Sequence, residues 1–204
     1  GYSERNGQRV PKELDGVCSN IEFSNMYINS GLHSRYNEGA IYKCFMDVWG
    51  TGTVFRNIWE EHFECGFWFG DYNGKIDYSK NVKVIDCRIR NNYADGVNFC
   101  IGTSNSAVYN CSIRNNGDDG LAVWPDDSKG PKSADNNIFA YNTIELGWRA
   151  GGVAIYGGDG HKIYNNYICD MFMASGIHLN TTFSGPRFKN TNKIAFDNNI
   201  LVRC

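Results

Sequence analysis

The chain carries one segment twice. Ile89-Arg-Asn-Asn-Tyr-Ala-Asp-Gly-Val97 is followed, 24 residues on, by Ile113-Arg-Asn-Asn-Gly-Asp-Asp-Gly-Leu121. A unit of that length cannot close a core alone, so it commits the chain to a stack in which each unit buries its apolar side against the next. An apolar residue before an Asn-rich turn continues the series both ways, at Ile28, Trp59, Ile89, Ile113, Ile144, Ile168 and Ile200. The steps are 31, 30, 24, 31, 24 and 32 residues, a basic coil of about 24 with extra loop residues in some turns.

Within each coil two short apolar stretches recur. One opens on a glycine, as in Gly66-Phe-Trp-Phe, Gly96-Val-Asn-Phe, Gly120-Leu-Ala-Val, Gly152-Val-Ala-Ile and Gly176-Ile-His-Leu, and the other leads into the anchor, as in Val84 to Ile89 and Val108 to Ile113. Both alternate as half-buried strands do, and the Asn, Gly and Asp between them leave no room for helices. Leucine-rich repeats require a Leu/Asn consensus that is missing here, and propellers require about 40 residues per unit. The spacing predicts an all-β fold: a pectate-lyase-like right-handed parallel β-helix with coils of about 24–32 residues, the hand following from the preference of parallel crossovers. Residues 1–204 read as a single β-helix domain, a fragment of a longer catalytic domain, because the sequence starts without an initiator Met and stops inside a strand pattern.

The same alignment accounts for much of the polar sequence. One ladder position holds Cys87, Cys111, Asn142, Asn166 and Asn198, where Asn can bond turn backbone up the stack and Cys acts as a small buried apolar group. A Cys87–Cys111 disulfide is the weaker expectation, and without a Cys-x-x-Cys pair the eight cysteines do not suggest zinc. A net charge of −2 with both signs scattered gives no basic patch for nucleic acid, and no apolar run approaches the roughly 20 residues of a membrane helix. The expectation is a secreted monomer whose partner is a polysaccharide.

Register turns the repeat into a site. The residue before each glycine is Cys65, Asp95, Asp119, Gly151 and Ser175 in successive coils, so Asp95 and Asp119 are neighbours at about the 4.8 Å spacing of paired strands, with Asp118 beside them. An Asp before Gly is an ordinary turn signal, but stacked like charges lose stability and share protons, which calls for a reason. Glycosidic hydrolysis uses one carboxylic acid for the leaving oxygen and one carboxylate to activate water, about 6.5–9.5 Å apart for inversion. In that scheme the stacked pair is the base and Asp118 the acid. Trp124, Trp68 and Trp148 are candidate platforms for sugar rings, and Asn98 and His178 candidate partners for hydroxyls. Asp126 and Asp127 are candidates for sugar or a structural calcium, or a solvated loop tip; no cofactor is required.

Asp95-Gly-Val-Asn98, followed by Asn116-Gly-Asp-Asp-Gly-Leu-Ala-Val-Trp124, is similar to the catalytic stretch of glycoside hydrolase family 87, the α-1,3-glucanases (mutanases) and mycodextranases. The resemblance implies a secreted, inverting enzyme on a right-handed β-helix, with a lone Asp and an Asp pair one coil later that match Asp95, Asp118 and Asp119. Polygalacturonases of family 28 share that arrangement but also carry Gly-His-Gly and Arg-Ile-Lys motifs, which are missing here. The leading expectation is therefore an endo-acting glycosidase on α-1,3-glucan or mixed α-1,3/α-1,4-glucan. The alternatives are another β-helical polysaccharide enzyme, polygalacturonase-like or pectate-lyase-like with Arg149 as the nearby basic residue, and a non-catalytic carbohydrate-binding β-helix.

Overall fold

The computed structural model describes residues 18–31, 42–70, 79–126, 134–183 and 187–204, together with the backbone of 2–5 and 8–11. Among these there is no helix, and none long and apolar enough to cross a membrane. Every strand pair is parallel except Tyr2–Arg5 with Gln8–Pro11. The chain winds through three faces. One stacks Lys83–Ile85, Ala107–Tyr109, Ile138–Ala140, Lys162–Tyr164 and Ala195–Asp197. The second stacks Arg88–Arg90, Ser112–Arg114, Thr143–Glu145, Tyr167–Cys169 and Ile200–Val202. The third, which carries the aspartates at its entrance, stacks Lys43–Asp47, Cys65–Phe69, Val97–Cys100, Leu121–Trp124, Val153–Ile155 and Ile177–Leu179.

Strands this short turn at residues in the left-handed region, which Asn and Asp tolerate best. One corner is built by Asn57, Asp86, Asn110, Tyr141, Asn165 and Asn198, with φ between 50° and 58°. The residue after each corner points inward, and from Cys111 onward it accepts the backbone N–H of the coil before it. Cys87 N–H donates to Cys111 Sγ, Cys111 N–H to Asn142 Oδ1 at 2.9 Å, Asn142 N–H to Asn166 Oδ1 at 3.0 Å and Asn166 N–H to Asn199 Oδ1 at 3.0 Å. The ladder thus ends on Asn199 and not on Asn198, which is itself a corner residue. All eight cysteines are free thiols. A reductant should leave the thermal unfolding midpoint unchanged, whereas loss of a native disulfide would cost about 2–5 kcal/mol.

Between the faces runs a stack of rings, Phe23 on Phe55 at 5.2 Å, Phe55 on Phe69 at 5.4 Å and Phe69 on Phe99 at 5.9 Å. Beside it runs the isoleucine ladder, whose register differs from the sequence reading in two coils. Ile28 and Ile89 both pair with Glu60, and Ile168 pairs with Leu201, so Trp59 and Ile200 are outward neighbours of the true ladder residues. Apolarity singled them out, but pleat decides facing: Trp59 is 38 % and Ile200 58 % exposed. Glu60 is fully buried and accepts Asn92 Nδ2 at 2.8 Å, and burial pushes its carboxyl well above the usual range, keeping it a neutral member of an apolar column.

Candidate active site

Two consecutive turns bring the three aspartates together. Each follows an inward asparagine that locks the turn to the coil before it: Phe63 N–H donates to Asn92 Oδ1 and Asn92 N–H to Asn116 Oδ1, both at 3.0 Å. Val97 pairs with Leu121, and Leu121 with Val153, so Asp95, Asp119 and Gly151 occupy equivalent positions in successive coils. The glycine after each aspartate permits the close approach, since a Cβ on Gly120 would sit 2.7 Å from the Gly152 carbonyl oxygen. One oxygen from each of Asp95, Asp118 and Asp119 lies within 4.8 Å of the other two.

Stacked like charges are tolerated because each buried carboxylate is met by a backbone N–H from the coil above and by a side-chain donor. Asp95 Oδ1 accepts Asp119 N–H at 3.1 Å, and its Oδ2 accepts Asn98 Nδ2 at 2.9 Å. Asp119 repeats the pattern, with Oδ1 accepting Gly151 N–H at 2.9 Å and Oδ2 accepting the Tyr156 hydroxyl at 2.7 Å. The side chains proposed for chemistry from the sequence therefore also serve the ordinary turn role. Asp118 differs: its side chain is 41 % exposed and pairs with Arg149 Nη2 at 3.2 Å. Arg149 in turn lies over the Tyr93 ring, 4.6 Å from its centroid, with Trp148 alongside.

Burial, reinforced by Asp118 and Asp119, pushes the Asp95 carboxyl well above the usual carboxylate range. Burial likewise lifts Asp119, to about 7, against the lowering effect of the Tyr156 hydrogen bond. Asp95 and Asp119 do not titrate independently, because a proton taken up by one changes the cost of the next. Three carboxylates this close could share a cation, yet five donors of the protein already point at their oxygens: two backbone N–H groups, Asn98, Tyr156 and Arg149.

The other candidates fall into two groups around this centre. Trp68 and Trp124 lie on one side, their rings 6.0 Å apart, with Asn98 in register with Trp68 and committed to Asp95. His178 is one coil beyond Ala154 in the same column, its Nε2 3.3 Å from the Tyr156 hydroxyl. Trp148 is on the opposite side, 6.2 Å from Tyr93. Asp126 is 7 % exposed just after Trp124, which makes it no solvated loop tip, and Asp127 lies outside the described residues. A cavity of about 1010 Å³ is lined by Leu179, Phe183, Arg187 and Asn192 among others, and it meets the aromatic group through Phe183.

Sequence reasoning missed Tyr156 and Phe183, and it considered Arg149 only as a basic residue for a lyase. Tyr156 was within reach: it follows Ile155, the partner of Val123, so it is the coil equivalent of Trp124. Phe183, whose ring is 5.1 Å from Tyr156, sits in a loop with no repeat to align.

Residues 20–202 match the family profile described as the α-1,3-glucanase catalytic domain D2. Among solved structures, the Agl-KA catalytic domain is 50 % identical with a TM-score of 0.85, covering 91 % of this chain and 32 % of its own. A glycoside hydrolase family 87 α-1,3-glucanase catalytic domain, solved as an aspartate-to-alanine variant with tetrasaccharides, is 27 % identical with a TM-score of 0.62, covering 75 % of this chain and 27 % of its own. The A-module of a mannuronan C-5 epimerase from Azotobacter vinelandii shares the fold alone, at 12 % identity and a TM-score of 0.53 over 79 % of this chain and 50 % of its own. No curated protein sequence matches. This chain thus spans about a third of the length of the Agl-KA catalytic domain.

Proposed function

From the premise that the chain belongs to the α-1,3-glucanase catalytic domains of glycoside hydrolase family 87, we propose that it is part of a secreted, endo-acting enzyme that hydrolyses α-1,3-glucan by inversion, with Asp95, Asp118 and Asp119 as its reacting carboxyls. The observation that carries this reading is the cluster itself: two carboxylates buried in register at a cost in stability, and a third beside them that reaches solvent.

Position divides the labour. Asp118 is the accessible member and protonates the leaving glycosidic oxygen. Asp95 and Asp119 hold and deprotonate the attacking water, their orientation fixed by the donors from neighbouring coils. Arg149 holds the Asp118 carboxyl in the free enzyme and must yield it to the incoming chain, so that Asp118 carries a proton taken from solvent when the bond is cut. Trp68 and Trp124 on one side and Trp148 on the other supply ring platforms, so that a polymer can cross the site and be cut internally. The reaction uses no cofactor, and any calcium near Asp126 is structural.

The spacing of the carboxyls does not argue for inversion by itself. Their nearest oxygens lie within 4.8 Å, less than the about 6.5–9.5 Å usual across an inverting site. Inversion rests instead on the resemblance to the family. Proton NMR of early products should therefore show the β-anomer before mutarotation; α-anomer first would assign a retaining mechanism. Reducing-end release from insoluble α-1,3-glucan, compared with nigeran, dextran and polygalacturonate, tests the substrate class. Turnover of polygalacturonate alone would overturn it.

A further inference from the structure

The proposed base is itself held by a second layer. Asp119 Oδ2 accepts the Tyr156 hydroxyl at 2.7 Å, and that hydroxyl oxygen lies 3.3 Å from His178 Nε2, while His178 Nδ1 is 3.5 Å from the exposed Ser175 Oγ. Tyr156 is 9 % exposed, and its ring packs over Ala122 and Ala154, two small residues where Asn98 stands one coil below. His178 is seated by an absence: Gly151 is the one position in the column Asp95, Asp119, Gly151 without a side chain, and a Cβ there would lie 2.8 Å from the imidazole. The same Gly151 gives its N–H to Asp119 Oδ1. Both oxygens of Asp119 are thus aimed by groups one and two coils above it.

We infer that Tyr156 is a positioning residue for Asp119, fixing the direction of its carboxylate toward the attacking water, and that His178 and the empty space at Gly151 exist to hold Tyr156 in that pose. The inference rests on the glycosidase reading. It gives His178 a place in the machinery that differs from the hydroxyl contact expected from the sequence.

The hydrogen bond from Tyr156 favours ionised Asp119, and a base must be ionised to work. Removing the donor should raise the pH at which the base switches on. The groups facing Asp119 are Asp95 from the coil before, Asp118 from its own turn, Arg149 from the following loop, and Tyr156 and His178 from above. Glu64 and its partner Lys43 face Asp95. Burial holds the His178 imidazole below its ordinary value, which favours the neutral ring, and its Nε2 faces the phenol oxygen at 3.3 Å.

The test is the pH profile of kcat/KM on a soluble α-1,3-gluco-oligosaccharide for Tyr156→Phe, His178→Ala and His178→Gln. Tyr156→Phe should shift the acid limb up by about one pH unit, so that kcat/KM well below the limb falls about tenfold with KM unchanged. His178→Ala should shift it the same way, and His178→Gln, which restores a donor and removes an ionisation, should return it toward the parent. An unmoved limb in both Tyr156→Phe and His178→Ala, or a rise in KM alone, overturns the inference. Should Tyr156→Phe fail to fold, the two His178 variants decide the question by the same shift of the limb. A parent protein that releases no reducing ends from any α-1,3-glucan would instead sink the glycosidase reading, so the two failures are distinguishable.

Discussion

Asp118→Asn should reduce hydrolysis of α-1,3-glucan by at least about a hundredfold, and by up to about ten thousandfold, with the unfolding midpoint nearly unchanged. The amide keeps the size of the carboxyl but its N–H protons are too weakly acidic to transfer to a leaving alkoxide. Structurally the change is mild, because the side chain is 41 % exposed and its partner Arg149 is retained on the Tyr93 ring. An exposed ion pair of this kind contributes roughly 0–1 kcal/mol. The measurement is initial-rate reducing-end release beside a thermal melt. Retained turnover would remove Asp118 from the role of acid, and lost turnover with a collapsed melt would show that the site cannot be separated from the fold.

Asp119→Asn should have opposite effects on activity and stability. Activity should fall by about a hundredfold or more through loss of the base, yet at pH 8 the protein should gain about 2–3 kcal/mol. The sign follows from linkage. Asp119 titrates near 7 when folded and near 3.8 when unfolded, so between these values the native state binds the extra proton. Stability contributed by the protonated native carboxyl is full below about pH 4 and is lost as pH rises through about 7. The full shift corresponds to about 4 kcal/mol, and weaker bonds from Tyr156 and Gly151 to the amide return part of it. Asparagine carries no such charge, so the advantage of the variant should appear at pH 8 and vanish by pH 4. Chemical denaturation at the two pH values reads this directly. A variant less stable than the parent at pH 8 would mean that the carboxylate is held for structure and not against it.

Such opposed effects are what a fold shows where it gives up stability for chemistry. Elsewhere this chain is economical. The corners use mostly Asn and Asp where a left-handed residue is required, and the inward positions after them use side chains that accept a backbone N–H of the coil before. Even Glu60, set in a column of isoleucines, is given an amide partner and kept neutral. Asp95 and Asp119 each accept a backbone N–H of the coil after them, a bond that an asparagine oxygen could also accept. That aspartate stands there instead is the strongest sign of function in the wall.

Most of the fold was legible in the sequence because a parallel stack imposes one register on every coil. The 24-residue echo between Ile89 and Ile113 gave the coil, the strands and the neighbouring places of Asp95 and Asp119. The reading slipped only where a coil breaks the pattern, at Trp59 for Glu60, Ile200 for Leu201 and Asn198 for Asn199, since a single-residue shift exchanges inside for outside.

Sequence by itself determined the β-helix and which aspartates share a level, because both follow from counting residues along a periodic backbone. What only the tertiary structure decided was the company they keep. Arg149 against Asp118 and Tyr156 against Asp119 are side-chain choices made across coils and loops, 31 and 37 residues apart. No period encodes those contacts. They arise from the directions side chains take once packed, and they set which carboxyl is buried and raised and which is left reaching solvent.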